Sequence, residues 1–347
     1  MITVKEIAKM CDVSPSTVSN ILNGKTNMSE ETRLKVLKAV EETGYKPNYF
    51  AQGMRRTNNK TIGIIAEELI QFSTPLIVEA IMEYAESKGY RTFLINMSMY
   101  EKWKKAYNGN LGDEGLLKKN TAPAFAEAEA IRADGVIYVA AHGRILDCVP
   151  EGFDIPVVFA YGMSHNNKYK SVVIDDSNSA EAIVDYLVKR GHTRIGVIGG
   201  KPDNPHTLWR MDGYRDGLKK HSIPFDDGIV VYGDWERESG ERCADILLDK
   251  GLDTIFCMND LMAAGAYDSA RKRGLIVGKD ISVMGFDNRE ISEYLYPGLS
   301  TSEIMFEKIG TRCGELIIEE IENEEKRDEH IQPLRVMCEI IPRDSIV

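Results

Sequence analysis

Residues Thr3–Gly24, TVKEIAKMCDVSPSTVSNILNG, followed by Ser29–Asn48, SEETRLKVLKAVEETGYKPN, decide how the chain begins to fold. Thr3 and Glu6 have capping-box spacing, which predicts a helix with Val4, Ile7 and Ala8 on one face. Cys11, Asp12 and Val13 form a short turn. Ser14 caps a second helix, with Pro15 at its first position, where a missing N–H costs nothing. Val18, Ile21 and Leu22 are its apolar face, and Asn23–Gly24 ends it. Ser29 caps a third helix, with Glu30 and Glu31 favoured by the helix dipole. Its inward residues are expected to be Leu34, Leu37 and Val40, and Gly44 stops it. Helix, three-residue turn, helix and supporting helix is the helix-turn-helix plan, although a generic three-helix bundle has the same outline. The exposed Pro15, Ser16, Thr17, Ser19 and Asn20 are small or amide-bearing, as entry into a major groove requires.

Outward from this head, the balance of charge changes. The whole chain of 347 residues carries a net charge of −11, which by itself argues against nucleic acid. Residues 1–60 hold 10 Lys/Arg and 6 Asp/Glu, or +4; residues 61–347 hold 33 and 48, or −15. A basic head on an acidic body can still bind DNA, because only charges near phosphates release counterions. The length suggests two or three domains. Cys11, Cys148, Cys243, Cys257, Cys313 and Cys338 have no paired spacing and read as buried thiols in a reducing cytoplasm. No apolar run is long enough for a membrane span, and the first residues do not read as a secretory signal.

From Thr61 the pattern becomes one of short apolar runs alternating with amphipathic stretches. Ile62–Ile65, Thr92–Ile95, Val136–Val139, Val157–Phe159, Ile195–Ile198, Ile229–Tyr232, Ile255–Met258 and Ile281–Met284 read as strands. Leu76–Ser87, Ala180–Arg190 and Glu238–Leu248 read as helices. Continuous apolar strands between helices imply parallel sheets covered on both faces. Eight or more strands in two sets imply two lobes, with a ligand crevice at the carboxyl ends of the strands. No catalytic constellation, metal-ligand pair or cofactor motif stands out, so neither an enzyme nor a cofactor is expected. Gly199-Gly200-Lys201 reads as a tight turn, with a phosphate contact as the alternative.

In the head, "VS", two variable residues, "TVS", then "LNG" and "GYKPN" resemble the headpiece of the lactose-repressor (LacI/GalR) family. The resemblance continues through RGHTRIGVIGG (190–200), RMDGY (210–214), GDWERESG (233–240), MNDLMAAGA (258–266) and ISVMGFDN (281–288). It implies an N-terminal all-α helix-turn-helix headpiece and an α/β periplasmic-binding-protein-like core of two doubly wound parallel-sheet lobes. The expected domains are a headpiece at 1–47, a hinge helix and linker at 48–60, and an effector-binding core at 61–347. The first lobe would take 61–174 and 303–328, and the second 175–302 and 329–347.

The residues implied to face DNA are Thr3, Ser14, Pro15, Ser16, Thr17, Ser19, Asn20 and Asn23. Pro15, Ser16 and Asn20 hold the positions that touch base edges in the family. An amide at Asn20 pairs with adenine, worth about 1–3 kcal/mol of discrimination. In the hinge, the family's minor-groove leucine is replaced by Met54, also an apolar wedge, with Arg55 beside the phosphates. A short helix containing Gly53 is marginal alone and is expected to form only when braced on the operator.

Arg210, Trp235, Asn259 and Asp287 match the family's effector contacts, and Ser73, Thr74 and Leu76 the facing first-lobe wall. A flat aromatic with a guanidinium, an amide and a carboxylate suits the apolar face and hydroxyl edges of a sugar. Helix caps for Asn259 and Asp287, and a core role for Trp235, are the alternatives. "GDW" resembles the β-galactoside binders, whereas purine binders carry phenylalanine there, which favours a sugar. Thr74-Pro75-Leu76-Ile77 departs from the family's Asn-Pro-Phe-Phe, so one pocket wall lacks its usual aromatics. Met99–Asn120, with Trp103 and Tyr107, is longer than in the family and reads as a lid over the cleft or a solvated loop.

The expectation is a cytoplasmic, nucleoid-associated homodimeric repressor. It would bind palindromic double-stranded operator DNA, with no membrane partner, and be released by a sugar inducer. The alternatives are a corepressor-type regulator answering a non-sugar metabolite or a phosphoprotein, and a sugar-binding transport receptor, which would need a secretion signal and no basic head.

Overall fold

The structure is a computed structural model and describes residues 2–22, 28–45, 59–100, 114–323 and 332–347. It contains two compact units, 1–59 and 60–347. Helices α1 (Val4–Cys11), α2 (Pro15–Leu22) and α3 (Glu30–Thr43) make the first. The Thr3 amide donates to Glu6 Oε2 at 2.7 Å and the Glu6 amide to Thr3 Oγ1 at 3.4 Å, completing the capping box. Asp12, at φ +55°, turns the chain out of α1, and Ser14 Oγ accepts from the Thr17 amide at 3.1 Å to start α2. Ser29 caps α3 and Gly44, at φ +61°, ends it.

Ile7, Ala8, Cys11, Val18, Ile21, Val36 and Ala39 are the buried core of this unit. Leu34 and Leu37 are exposed, which corrects the face expected for α3. Cys11 Sγ reaches the Lys35 carbonyl at 3.7 Å. An approach that close suits the smaller Val36 and Ala39, and rotates the leucine ridge outward.

In the second unit a six-stranded parallel sheet has the order β13-β7-β5-β3-β1-β2. Its strands are β1 (Thr61–Ala66), β2 (Arg91–Asn96), β3 (Gly135–Val139), β5 (Val157–Ala160), β7 (Lys170–Ile174) and β13 (Leu334–Val336). A small pair, β4 (Ile145–Leu146) and β6 (Met163–Ser164), lies between them in the chain. The other sheet, β11-β10-β8-β9, comprises β8 (Gly196–Gly199), β9 (Val230–Tyr232), β10 (Thr254–Cys257) and β11 (Ser282–Met284). Central strands β1, β3, β5, β8 and β10 are buried throughout, so their apolar runs are continuous, while edge strand β2 is only part-buried.

The helices are α4 (Thr74–Ser87), α5 (Glu114–Ile131), α6 (Asp176–Val188), α7 (Pro205–Lys220), α8 (Arg237–Asp249), α9 (Asp260–Lys272), α10 (Ile291–Tyr294) and α11 (Phe306–Glu322). An antiparallel pair, β12 (Thr301–Glu303) with β14 (Glu339–Ile341), joins two of the segments that pass between the lobes. Gly135 lets α11 pack under the first sheet: a Cβ there would lie 2.7 Å from Ile317.

Three expectations are corrected here. The return to the second lobe at 329 is premature, because Leu334–Val336 is still a strand of the first sheet, paired with Val172–Ile174. Lys170–Ile174 is a strand not anticipated in the apolar-run count. Residues 114–120 of the long segment are helix rather than loop, with Leu117 buried in the hydrophobic core that also holds Phe125 and Cys148, on the face of the first sheet opposite α11. Trp103 and Tyr107 lie outside the described residues, as do Lys104–Asp113, so the lid expectation stays untested there. Among the described residues no helix is long and apolar enough to cross a membrane.

Candidate functional site

The carboxyl ends of the strands, where unpaired backbone groups and helix N-termini converge, concentrate the buried polar side chains of the core. Arg210, on the second turn of α7, is 2% exposed. Its Nε donates to Asp176 Oδ1 at 2.7 Å, and one terminal nitrogen donates to the Met258 carbonyl at the end of β10. The same nitrogen lies 3.7 Å from Asp287 Oδ1, and the guanidinium stacks on Phe286 at 3.6 Å. Asp176 also holds His206 Nδ1 at 2.8 Å through Oδ2. Burial alone would raise the Asp176 carboxyl; His206 and Arg210 outweigh it and hold it below the usual carboxylate range. Asp287 goes the other way. Burial pushes it up to about 8; Arg210 opposes that rise and Asp260 adds to it.

Asn259 is the N-cap of α9, its Oδ1 accepting from the Met262 amide at 2.8 Å, and its Nδ2 donates to the Trp235 carbonyl at 2.9 Å. It therefore fulfils the capping alternative and fixes the backbone of Trp235, which sits at φ +77°. The half-buried indole needs Gly200 opposite: a Cβ there would fall 2.0 Å from the ring. Gly200 thus serves packing against Trp235. Asp260, raised to about 7 by burial, accepts from Thr301 Oγ1 at 2.6 Å and the Arg289 amide at 2.7 Å, tying β12 and the β11–α10 loop to α9.

The first lobe contributes Ser73 and Thr74 at the start of α4, both wholly buried with hydroxyls that have no hydrogen-bond partner. Leu76 is exposed, and no contact ties it to this polar group. Aromatic rings from other residues pack beside this polar cluster. Phe72 packs edge-on against Phe306 at 5.4 Å, Phe306 against Tyr161 at 5.6 Å, and Tyr161 stacks on His206 at 5.7 Å. Arg289 lies over Phe72 at 4.7 Å. A row of rings thus runs from α7 across the first lobe, ending under a cation of the second.

Asp176, His206, Phe72, Tyr161, Phe306, Thr207 and Ser302 escaped the sequence reading. Only Asp175-Asp176 carried a signal: one acid suffices as an N-cap, and Asp175 takes that role at 3.4 Å from the Asn178 amide, leaving Asp176 for another. The arrangement is a charge-balanced cluster of buried polar groups beside a row of aromatic rings.

In the headpiece, Thr3 and Ser14 are helix caps; Ser14 Oγ also lies 2.6 Å from Ser16 Oγ and 2.8 Å from Thr17 Oγ1. Pro15 and Ser16 are exposed, and Thr17, Ser19 and Asn20 half-buried, on α2. Asn23, Met54 and Arg55 lie outside the described residues.

A family model described as bacterial regulatory proteins, lacI family, matches residues 3–48. One described as periplasmic binding protein-like domain matches 184–346. The chain is 30% identical over 351 residues to the HTH-type transcriptional repressor PurR of Klebsiella pneumoniae subsp. pneumoniae, covering 100% of this chain and 97% of the relative. The HTH-type transcriptional repressor PurR of Vibrio atlanticus is 26% identical over 353 residues, covering 100% and 99%. Among solved structures, the lac repressor dimer bound to operator and the anti-inducer ONPF has a TM-score of 0.76 at 22% identity, covering 100% of this chain and 99% of the other. That last likeness is one of fold.

Proposed function

The chain belongs to the LacI family of bacterial regulatory proteins, and from that premise we propose a homodimeric transcriptional repressor that grips a twofold-symmetric operator and releases it when a sugar enters the cleft. Pro15, Ser16 and Asn20 read the bases, Asn20 by its amide on adenine, while Thr3, Ser14, Thr17, Ser19 and Asn23 set the helix against the backbone. Met54 is the minor-groove wedge and Arg55 a phosphate contact. Arg210, Asp287, Trp235, Ser73 and Thr74 hold the effector; Asn259 acts through Trp235. Twofold symmetry of the operator follows from a dimer. To turn occupancy over fully, the effector must favour the released state by about 5.5 kcal/mol.

One observation carries the ligand reading. Among the described residues, Ser73 Oγ, Thr74 Oγ1, His206 Nε2, Thr207 Oγ1 and Ser302 Oγ are buried without partners, His206 and Thr207 on the same helix as the paired Arg210. Native interiors leave few such atoms, and a polyhydroxylated ring would satisfy them. A purine-type effector is the second reading, favoured by the relatives named PurR.

Thermal-shift measurements with lactose, cellobiose, glucose and hypoxanthine, followed by operator binding with each hit, separate the two. A sugar at a hundredfold excess over its Kd adds about 2.7 kcal/mol of stability and should weaken operator binding. Stabilisation by hypoxanthine alone, with operator binding strengthened, rejects the sugar-inducer reading.

A further inference from the structure

We propose that Asp176 is a positioning residue that makes His206 Nε2 a hydrogen-bond acceptor, so that the cleft selects an uncharged ring presenting an O–H or N–H donor at that point. This rests on the reading of the cleft as the effector site and names the chemistry that the site requires.

Asp176 is wholly buried at the start of α6, and both its oxygens are engaged: Oδ1 accepts from Arg210 Nε and Oδ2 meets His206 Nδ1. Paired with the Arg210 guanidinium at 2.7 Å, it is ionised and offers lone pairs only. The proton in the 2.8 Å contact must therefore sit on Nδ1. In a neutral imidazole this tautomer leaves Nε2 as a bare lone pair. Nε2 is buried, and no group among the described residues bonds to it.

Its position gives that lone pair a use. His206 belongs to α7 of the second lobe, yet its ring stacks on Tyr161 at the end of β5 and reaches Gly143 beyond β3, both in the first lobe. A Cβ at Gly143 would lie 2.3 Å from Nε2, so only glycine lets the imidazole come so far. The bare acceptor thus lies on the boundary between the lobes, covered by Gly143, so a donor that reaches it must enter against that glycine. A hydroxyl of Ser or Thr can turn to donate or to accept, whereas the locked imidazole cannot. His206 is therefore the group that discriminates. Charge is settled as well: Arg210 is already paired with Asp176, which leaves its positive charge compensated before any anion arrives. A phosphorylated ligand would instead meet two buried carboxyls.

The test is a two-bond 1H–15N correlation spectrum of the full-length protein labelled at histidine nitrogens, near neutral pH, with the His206 resonances identified by their loss in His206→Gln. The free protein should show His206 protonated at Nδ1 and bare at Nε2. Lactose, cellobiose, glucose or hypoxanthine, whichever binds, should move the Nε2 resonance towards the hydrogen-bonded range. In Asp176→Asn the carboxamide can donate to Nδ1 and turn the imidazole over. That variant should show the proton on Nε2 and bind the same probe at least tenfold more weakly. A proton on Nε2 of the wild-type ring near neutral pH, whether the ring is neutral or doubly protonated, or an Nε2 resonance unmoved by a probe whose binding Arg210→Met abolishes, overturns the proposal even if Asp176→Asn does not fold. Binding of hypoxanthine and none of the sugars rejects the sugar reading and leaves this inference standing. Binding of none of the four rejects the cleft as effector site and the inference with it.

Discussion

The headpiece and the core are held together by different kinds of contact, and the difference explains which substitutions each can bear. Seven buried residues, small or medium in size, close the headpiece core, and α1 and α3 are started and stopped by caps within the same segment. In the core, a buried arginine is held by the Asp176 carboxylate and the Met258 carbonyl from two other segments, and helices approach to the limit that glycine allows. Local rules therefore govern the first unit and long-range complementarity the second.

The largest effect expected from breaking that contrast is in the core. Arg210→Met leaves the buried Asp176 and Asp287 carboxyls without their cation, and should lower stability by about 3–5 kcal/mol while removing ligand binding; urea unfolding measures the loss. A change below 1 kcal/mol would mean that the arginine is not the keystone of the cluster.

Next comes a matched pair of glycines. In Gly213→Ala the new Cβ would sit 1.9 Å from the Ser177 carbonyl oxygen, forcing α6 and α7 apart. The expected cost is about 1–3 kcal/mol or more. Gly44→Ala meets nothing within 4 Å but is held at φ +61°, so its cost is the left-handed backbone alone, about 1 kcal/mol. If the two cost the same, packing does not set the core apart.

Asp287 gives a contrast that depends on pH. Burial keeps it protonated in the fold up to about 8, whereas in the unfolded chain it titrates near the ordinary value of about 3.9. The native state thus holds an extra proton between these limits, and stability falls as pH rises through that window. Asp287→Asn should match the wild type near pH 4 and be the more stable of the two at pH 8, as thermal unfolding across pH will reveal. Identical pH profiles would remove the raised carboxyl from the account. Smallest is Thr3→Ala, which deletes the α1 cap at a cost of about 1 kcal/mol, read from headpiece melting with core melting unchanged.

The same division decides what could be read from the chain. Thr3 with Glu6, Ser14 before Pro15, Ser29 and Gly44 announce their roles within four residues, and each acts as expected in the structure. Buried strands such as Ile62–Ile65 and Ile255–Met258 were legible to within a residue or so, because their apolar runs are uninterrupted. The face of α3 was misread, since Leu34-Leu37 and Val36-Ala39 are both plausible ridges and only the approach of α1 chooses between them. Arg210 and Asp287 come together as the sequence suggested, but Asp176 and His206 did not stand out. Their partnership joins α6 to α7 across 30 residues, and no local periodicity encodes it. The aromatic rings beside the polar cluster, Phe72, Tyr161 and Phe306, likewise meet only in the folded core.

Selection of twofold-symmetric random DNA by the purified full-length protein, with and without a ligand that stabilises the core, tests the central claim most directly. The account predicts enrichment of one palindrome with adenine facing Asn20, and loss of that enrichment when the ligand is added. Failure to enrich any symmetric sequence, in either condition, would contradict it.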